Sequence, residues 1–183
     1  MNCVYLIMGQ SGSGKTSIAN ALEDFYGYKQ LYSYTTREPR YEGERGHIFV
    51  KQKDFDNEAI RDCVAFTVIN HNYYWATRKQ VDECDVYIID PKGTEFFEFK
   101  YNGKKQIRKI IVQASEETRR RRMKERGDSD LEIDYRIISE KDWFKDFNVD
   151  AVVGNDIDGE NEFAGVVKWI ADYIVDQEIK AGR

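Results

Sequence analysis

The chain's apolar positions follow two different periods. Residues 3–8, CVYLIM, are an unbroken apolar run, which predicts a strand buried on both faces. After a glycine-rich stretch, Ile18, Ala19, Leu22 and Phe25 recur at helical spacing. A short strand is expected around Leu31–Tyr34, another resumes at Phe49 and Val50, and residues 54–60 read as a short helix. Residues 63–75 alternate in part and carry β-branched and aromatic side chains, which predicts small antiparallel strands. Val86–Ile89 is a dense apolar run ending in Asp90 and reads as a central strand; Ile107–Val112 is similar. Glu116–Arg126 predicts a helix with Ser115 as N-cap and acidic residues in its first turn. Asp130–Lys141 follows as a second helix, and Val149–Val153 as a short buried strand. Residues 160–179 predict a long amphipathic helix with Phe163, Val166, Val167, Ile170 and Ile174 on one stripe. Strands alternating with helices predict an α/β sandwich with a mostly parallel sheet. Residues 33–76 break that rhythm and read as a small β-rich insert.

Length and composition narrow the class. The 183 residues make one ordinary domain with room for a small insert. Apolar residues at 41% can bury a core, which disfavours global disorder. A formal charge of -5 disfavours a non-specific nucleic-acid binder. With only Pro39 and Pro91, a proline-rich linker chain is ruled out. Cys3, Cys63 and Cys84 show no CxxC spacing and fit a reducing compartment, where cysteine is mostly a small buried hydrophobe. Two histidines, His47 and His71, leave no histidine-rich metal site. Val4–Met8 is too short to span a membrane and lacks the flanks of a signal peptide. The expectation is a soluble cytoplasmic protein with no membrane partner, monomeric or homodimeric.

The strongest chemical signal is Gly9-Gln-Ser-Gly-Ser-Gly14-Lys15-Thr16, a full GxxxxGK[ST] pattern between a predicted strand and a predicted helix. Glycines let the backbone curl so that its N–H groups face one anion, and the following helix adds its positive end. Lys15 is expected to reach the outer phosphates and the Thr16 hydroxyl to ligate Mg²⁺. Gly9, Ser11, Gly12, Ser13, Gly14, Lys15, Thr16 and Ser17 are the candidate ATP- or GTP-binding set. The motif alone does not separate a kinase from an NTP-driven switch or a scaffold.

Two arginine groups follow. Arg37 and Arg40 flank Pro39 in the charged segment 35–47, where they can converge on one small anion or remain solvated. Residues 119–126, RRRRMKER, hold five arginines, with Arg119, Arg122 and Arg126 on one helical face. No aromatics interleave them and the net charge is negative, so no nucleic-acid partner is expected. Arg120 and Arg121 are expected to be solvated.

These motifs together resemble the guanylate kinase family of P-loop nucleoside monophosphate kinases. The resemblance rests on the phosphate loop, Ser33, TTREPR at 35–40, Gly43-Glu44, Gly46, Phe49-Val50, Asn72-Tyr73-Tyr74 and Asp90-Pro-Lys-Gly93. It continues through Arg122 to Gly127, Arg136 and Asn155-Asp156. It implies a P-loop kinase three-layer sandwich with a nucleoside monophosphate-binding insert and a helical lid. The core would comprise 1–32, 79–115 and 145–183, the insert 33–78, and the lid region 116–144. It also implies transfer of the ATP γ-phosphoryl group to a nucleoside 5′-monophosphate, GMP or dGMP first. Lys15, Arg37, Arg122, Arg126 and Arg136 would serve catalysis. Ser33, Arg37, Arg40, His47, Tyr74 and Asp90 would hold the acceptor. Thr16 and Asp90 would hold Mg²⁺, and Asn155 would lie near adenine or organise a turn. Asp90 is equally a residue type that turns a chain at a strand end.

The chain departs from that family's pattern where the acceptor base is read. Ala65 stands where the family places a glutamate that accepts hydrogen bonds from guanine; Trp75 replaces a glycine, and Ala76 a small hydroxyl residue, with Thr77 adjacent. His47 aligns with a tyrosine that contacts the acceptor phosphate, and Ile88 with the first aspartate of a DxD pair. Unpaired donors in a guanine pocket cost about 1–3 kcal/mol each. The alternatives are therefore a P-loop kinase for a non-guanine nucleotide or a sugar phosphate, or a catalytically silent protein-binding domain.

Overall fold

The computed structural model describes residues 1–54, 62–157 and 159–182. The helix expected over 54–60 lies outside the described residues except for residue 54, which closes a 3-10 turn at Gln52–Asp54. The strands are β1 Cys3–Met8, β2 Gln30–Leu31, β3 Ser33–Thr35, β4 His47–Phe49, β5 Cys63–Ile69, β6 Asn72–Thr77, β7 Val86–Ile88, β8 Gln106–Gln113 and β9 Ala151–Gly154. The described helices are α1 Lys15–Tyr26, α2 Arg78–Glu83, α3 Pro91–Lys100, α4 Glu116–Glu125, α5 Asp130–Ser139 and α6 Glu160–Ala181.

Five strands form a parallel sheet in the order β2-β7-β1-β8-β9. All six residues of β1 are buried, and they alternate between two cores. Cys3, Tyr5 and Ile7 pack with Ile18, Ala19 and Leu22 of α1 and with Val167, Ile170 and Ile174 of α6. Val4, Leu6 and Met8 pack on the other face with Val64 and Ala65 of β5, Val81 of α2 and Phe97 of α3. Each buried Val, Leu, Ile, Met or Phe side chain among them contributes about 1.5–3 kcal/mol. The result is an α/β three-layer sandwich with a parallel central sheet. The middle place belongs to β1; β7, read as central, lies one strand out, between β2 and β1.

The remaining strands make a second sheet in the order β4-β3-β6-β5, the small β-rich insert. β5 and β6 pair antiparallel through a two-residue turn, Asn70-His71, with both φ angles positive, as tight hairpins require. The strand expected at Leu31–Tyr34 is in fact two: β2 joins the large sheet and β3 the small one. The lid is α4 and α5, packed through Met123, Ile133 and Ile137.

One aromatic placement, that of Phe25, differs from expectation. Phe25 is 80% exposed in the last turn of α1, beyond the reach of the sheet. Trp169 is 45% exposed on α6 and stacks on Tyr173 instead of entering the core. All three cysteines are free and buried.

Candidate active site

β1 delivers the chain into the glycine-rich loop, and α1 starts at Lys15. Gly14 caps that helix at φ 97 with no side-chain hydrogen bond to the first turn. The first N–H groups of α1 are thus left to the cleft, the arrangement that binds phosphate. A Cβ on Gly14 would stand 2.2 Å from Asn155 Nδ2, so only glycine fits. Asn155 is buried and its Nδ2 donates to the Ser13 carbonyl at 2.7 Å, which fixes the loop from behind. Lys15 Nζ donates to the Gln10 carbonyl at 3.0 Å. Burial, set against the nearby Glu140 carboxylate and reinforced by Arg126 and Arg119, lowers its pKa to about 8.

The lid is fastened to this loop. Glu140, just past α5, accepts from Ser11 N and Ser11 Oγ, both at 2.6 Å. Its carbonyl accepts from Gln10 Nε2 at 2.7 Å. Arg119 of α4 donates to the Ser11 carbonyl at 2.8 Å and Gln10 Oε1 at 2.9 Å, with Glu140 at 3.5 Å. Arg119 and Glu140 are both buried. Arg136 Nη1 donates to Ser11 Oγ at 3.2 Å. Arg122 reaches the Ile157 carbonyl at 2.9 Å, and Arg126 is paired with Asp128. Arg120 pairs with Glu116 and Asp134 at the surface, and Arg121 is exposed, as expected.

In the insert, Arg37 and Arg40 both meet the chain's own Glu44 carboxylate. Arg37 makes two bonds to it at 2.8 and 3.1 Å, and Arg40 meets it through its backbone N–H at 2.7 Å and Nη1 at 3.2 Å. These cations hold the Glu44 carboxyl below its usual range although burial opposes them. Arg37 Nε also donates to the Tyr74 hydroxyl at 3.2 Å. Ser33 Oγ lies 2.9 Å from His47 Nδ1. Burial first, then Arg37, lower the His47 pKa to about 4, so the ring is neutral near pH 7.

Three cavities join these groups. One of about 540 Å³ has Gly14, Lys15 and Thr16 of the phosphate loop on one side and Arg40 and His47 of the insert on the other, with Arg122, Arg126 and Arg136 among its lining residues. A second, of about 380 Å³, is bounded by Gly14, Ser17, Arg122, Asn155, Ile157 and Phe163. A third, of about 150 Å³, holds Gly9, Ser11 and Lys15 at one end and Ser33, Thr67, Tyr74 and Asp90 at the other. Of the residues expected at the site, Gly12 lines the first cavity as well, Ser13 is buried beneath the loop, and Arg37 stands behind Arg40 in the Glu44 cluster.

Asp90 caps a helix and also borders a cavity. It is the N-cap of α3, accepting from Gly93 N at 3.0 Å, and it lines the third cavity with Thr67 Oγ1 at 3.3 Å. Burial raises its pKa. Ala65 and Ala76 are buried in the core, and Trp75 stacks on Tyr34 at 5.3 Å. Sequence reasoning did not find Glu140, Thr67 or the Gln10 side chain. The phosphate-loop pattern leaves the position of Gln10 free, and Glu140 carries no local pattern at all.

The fold and this site define a protein with a P-loop kinase-type phosphoryl-transfer fold. A family model described as an AAA domain matches residues 6–143, from β1 through the phosphate loop to the lid, and the chain belongs to that family. It is similar to the guanylate kinase of Nitrosomonas europaea, 29% identical over 145 residues, which cover 73% of this chain and 70% of that one. It is likewise similar to the guanylate kinase of Mycoplasma pneumoniae, 29% identical over 141 residues, 69% of this chain and 57% of the other. A crystal structure of guanylate kinase from Anaplasma phagocytophilum shares the fold with a TM-score of 0.67 at 17% identity, covering 96% of this chain and 86% of that one. No described helix is long and apolar enough to cross a membrane.

Proposed function

We propose that the chain is an ATP-dependent kinase that phosphorylates a nucleoside 5′-monophosphate. The observation that carries this reading is the single cleft with Lys15 and Thr16 on one wall and Arg40 and His47 on the other. Two anion-binding walls facing one space suit a donor triphosphate and an acceptor phosphate held end to end. The adjoining cavity at Asn155, Ile157 and Phe163 has the apolar lining an adenine ring needs. The cavity at Ser33, Thr67 and Tyr74 would take the acceptor's nucleoside.

In this reading the loop N–H groups and Lys15 hold the donor's phosphates. Arg37 keeps Tyr74 and Glu44 in place, and Arg40 faces the acceptor phosphate. Arg122, Arg126 and Arg136 neutralise charge that spreads over the transferred group, which is the main task in phosphoryl transfer. The acceptor oxygen is already anionic and needs no strong base. Mg²⁺ would enter on the donor's phosphates, with few protein ligands. Thr16 and Asp90 would hold it, and it would supply charge neutralisation at the bridging phosphate oxygens.

A coupled assay tests the proposal: ATP and Mg²⁺ with GMP, dGMP, AMP, CMP, UMP, IMP and ribose phosphates, following ADP. Turnover with a nucleoside monophosphate is expected, with GMP and dGMP the first acceptors to try because the relatives bear that name. No turnover with any acceptor overturns the reading in favour of a silent domain. A non-guanine acceptor has its own support, since Ala65 is 1% exposed in the core where the guanine-reading carboxylate would be needed.

A further inference from the structure

Two of the chain's tryptophans are stacked on a tyrosine, Trp75 on Tyr34 and Trp169 on Tyr173. Trp143 is different. Among the described residues its ring has no aromatic partner, and the half-buried residue lines the cavity of about 150 Å³ that holds Ser33, Thr67 and Asp90. We propose that Trp143 is the stacking wall of the acceptor site. It takes the flat face of the acceptor's base, so that the site selects a planar aromatic ring on the monophosphate and reads the polar edge of that ring only weakly. The assignment rests on the acceptor reading above and extends it to the feature of the acceptor that is recognised.

The local structure holds this residue in place before any ligand arrives. Trp143 lies in the turn after α5, and its backbone N–H donates to the Glu140 carbonyl at 3.2 Å. The same carbonyl accepts from Gln10 Nε2 at 2.7 Å, and the Glu140 carboxylate accepts from Ser11, so the turn is tied to the phosphate loop. The next residue, Phe144, packs against the core together with Phe147, their rings 6.0 Å apart. Of two adjacent aromatic residues, one anchors the turn and the other is left to the cavity. A wall ordered in advance spares the entropy that binding would otherwise cost.

The cavity suits a face better than an edge. Phe66, Ile69 and Tyr87 line it along with Trp143, the largely apolar and aromatic setting with a few polar groups that small-molecule sites use. Ala65, where a carboxylate would accept from guanine, is buried in the core and offers no side-chain bond. Stacking a base on an aromatic side chain changes affinity by about 10–100-fold and tolerates any base, because each has a π-face. It offsets the missing edge contact without restoring a preference for guanine.

Binding without turnover tests the assignment. GMP, IMP and AMP are titrated into the protein saturated with Mg²⁺ and a non-hydrolysable ATP analogue, followed by calorimetry and by tryptophan emission. The three nucleotides are expected to quench emission and to bind within about tenfold of one another, with ribose 5-phosphate at least about tenfold weaker. Trp143→Phe keeps a ring face, so affinity should stay within about threefold while the quenching is lost. Trp143→Leu keeps an apolar wall without that face, so the nucleotides should weaken about 10–100-fold while ribose 5-phosphate and the ATP analogue bind as before. Unchanged nucleotide affinity in Trp143→Leu, or an equal loss for ribose 5-phosphate and the ATP analogue, overturns the stacking wall and leaves the kinase reading standing. Binding of GMP alone among the three nucleotides overturns selection by the face. Binding of none of the four acceptors overturns the acceptor reading, and the stacking wall with it.

Discussion

Removing the Glu140 carboxylate tests whether the lid is bolted to the phosphate loop in the free protein. Glu140 and Arg119 are each 4% exposed, so neither can turn to water when the other is lost. Breaking a buried charged pair costs about 3–5 kcal/mol. The lower end applies here, because Arg119 keeps its bonds to the Ser11 carbonyl and Gln10 Oε1. The larger loss in Glu140→Ala is the pair of 2.6 Å bonds to Ser11, which leaves a loop N–H short of its acceptor. About 3 kcal/mol in a domain of this size lowers Tm by about 6–12 °C. Glu140→Gln retains an acceptor but exchanges charge-assisted for neutral bonds, which costs about 1–2 kcal/mol. Urea unfolding with an unchanged slope gives these values directly. Hydrogen exchange adds the local readout, since the Ser11 amide should lose protection in Glu140→Ala while β1 amides keep theirs in proportion to global stability. A loss below about 0.5 kcal/mol, the range of ordinary surface substitutions, with Ser11 still protected, would refute the bolt.

The remaining predictions concern the nucleotide and acceptor sites. Lys15 in the free protein has a pKa near 8 against an unfolded value of 10.5, so the fold binds fewer protons than the unfolded chain between these limits and gains stability as pH rises through them. Bound phosphate restores the charge: calorimetry of ATP binding at pH 8 in buffers of different ionisation enthalpy should show uptake of about half a proton, absent in Lys15→Ala along with most of the affinity. Asp90→Asn separates the two properties of that residue. Asn caps helices as well as Asp, so unfolding free energy should change by less than about 0.5 kcal/mol while turnover falls, and unchanged turnover would make Asp90 a cap alone. Ala65→Glu should destabilise by about 3 kcal/mol or more in thermal or urea unfolding, because the carboxylate enters an apolar core, and it should not confer guanine preference.

What the sequence disclosed depended on how far apart the cooperating residues lie. β1, the phosphate loop and α1 are contiguous, and their apolar run, glycines and helical period are visible in one pass. α2 and α3 escaped notice because neither carries a long apolar stripe. Their starts are nonetheless written in cap chemistry: Thr77 with Gln80 forms a capping box, and Asp90 precedes Pro91 at the first helical position. Phe25 followed the period of α1 yet points outward, since periodicity gives a face and not the extent of the sheet beneath it. Glu140 was beyond reach altogether. It meets Ser11 across 129 residues of chain, and no local rule assigns a glutamate after a helix to a loop that distant.

The altered base-reading positions make physical sense only when their spatial relation is added. Ala65 and Ala76 are direct cross-strand partners on β5 and β6, so two departures eleven residues apart in sequence are one event in the sheet. Both pack in the cluster that contains Val64, Val81 and Phe97, and a carboxylate at one site would need the other to be polar. Trp75 faces the opposite way and stacks on Tyr34, which leaves it outside the acceptor cavity. The polar groups that remain on that cavity's acceptor end are the Thr67–Asp90 pair, the Ser33–His47 pair and the Tyr74 hydroxyl. In the proposed reading, selectivity among acceptors would come from these hydroxyls and from a carboxyl whose pKa burial raises, a set that can pair with more than one base edge. An acceptor panel that includes modified and non-guanine monophosphates is therefore the measurement on which this site turns.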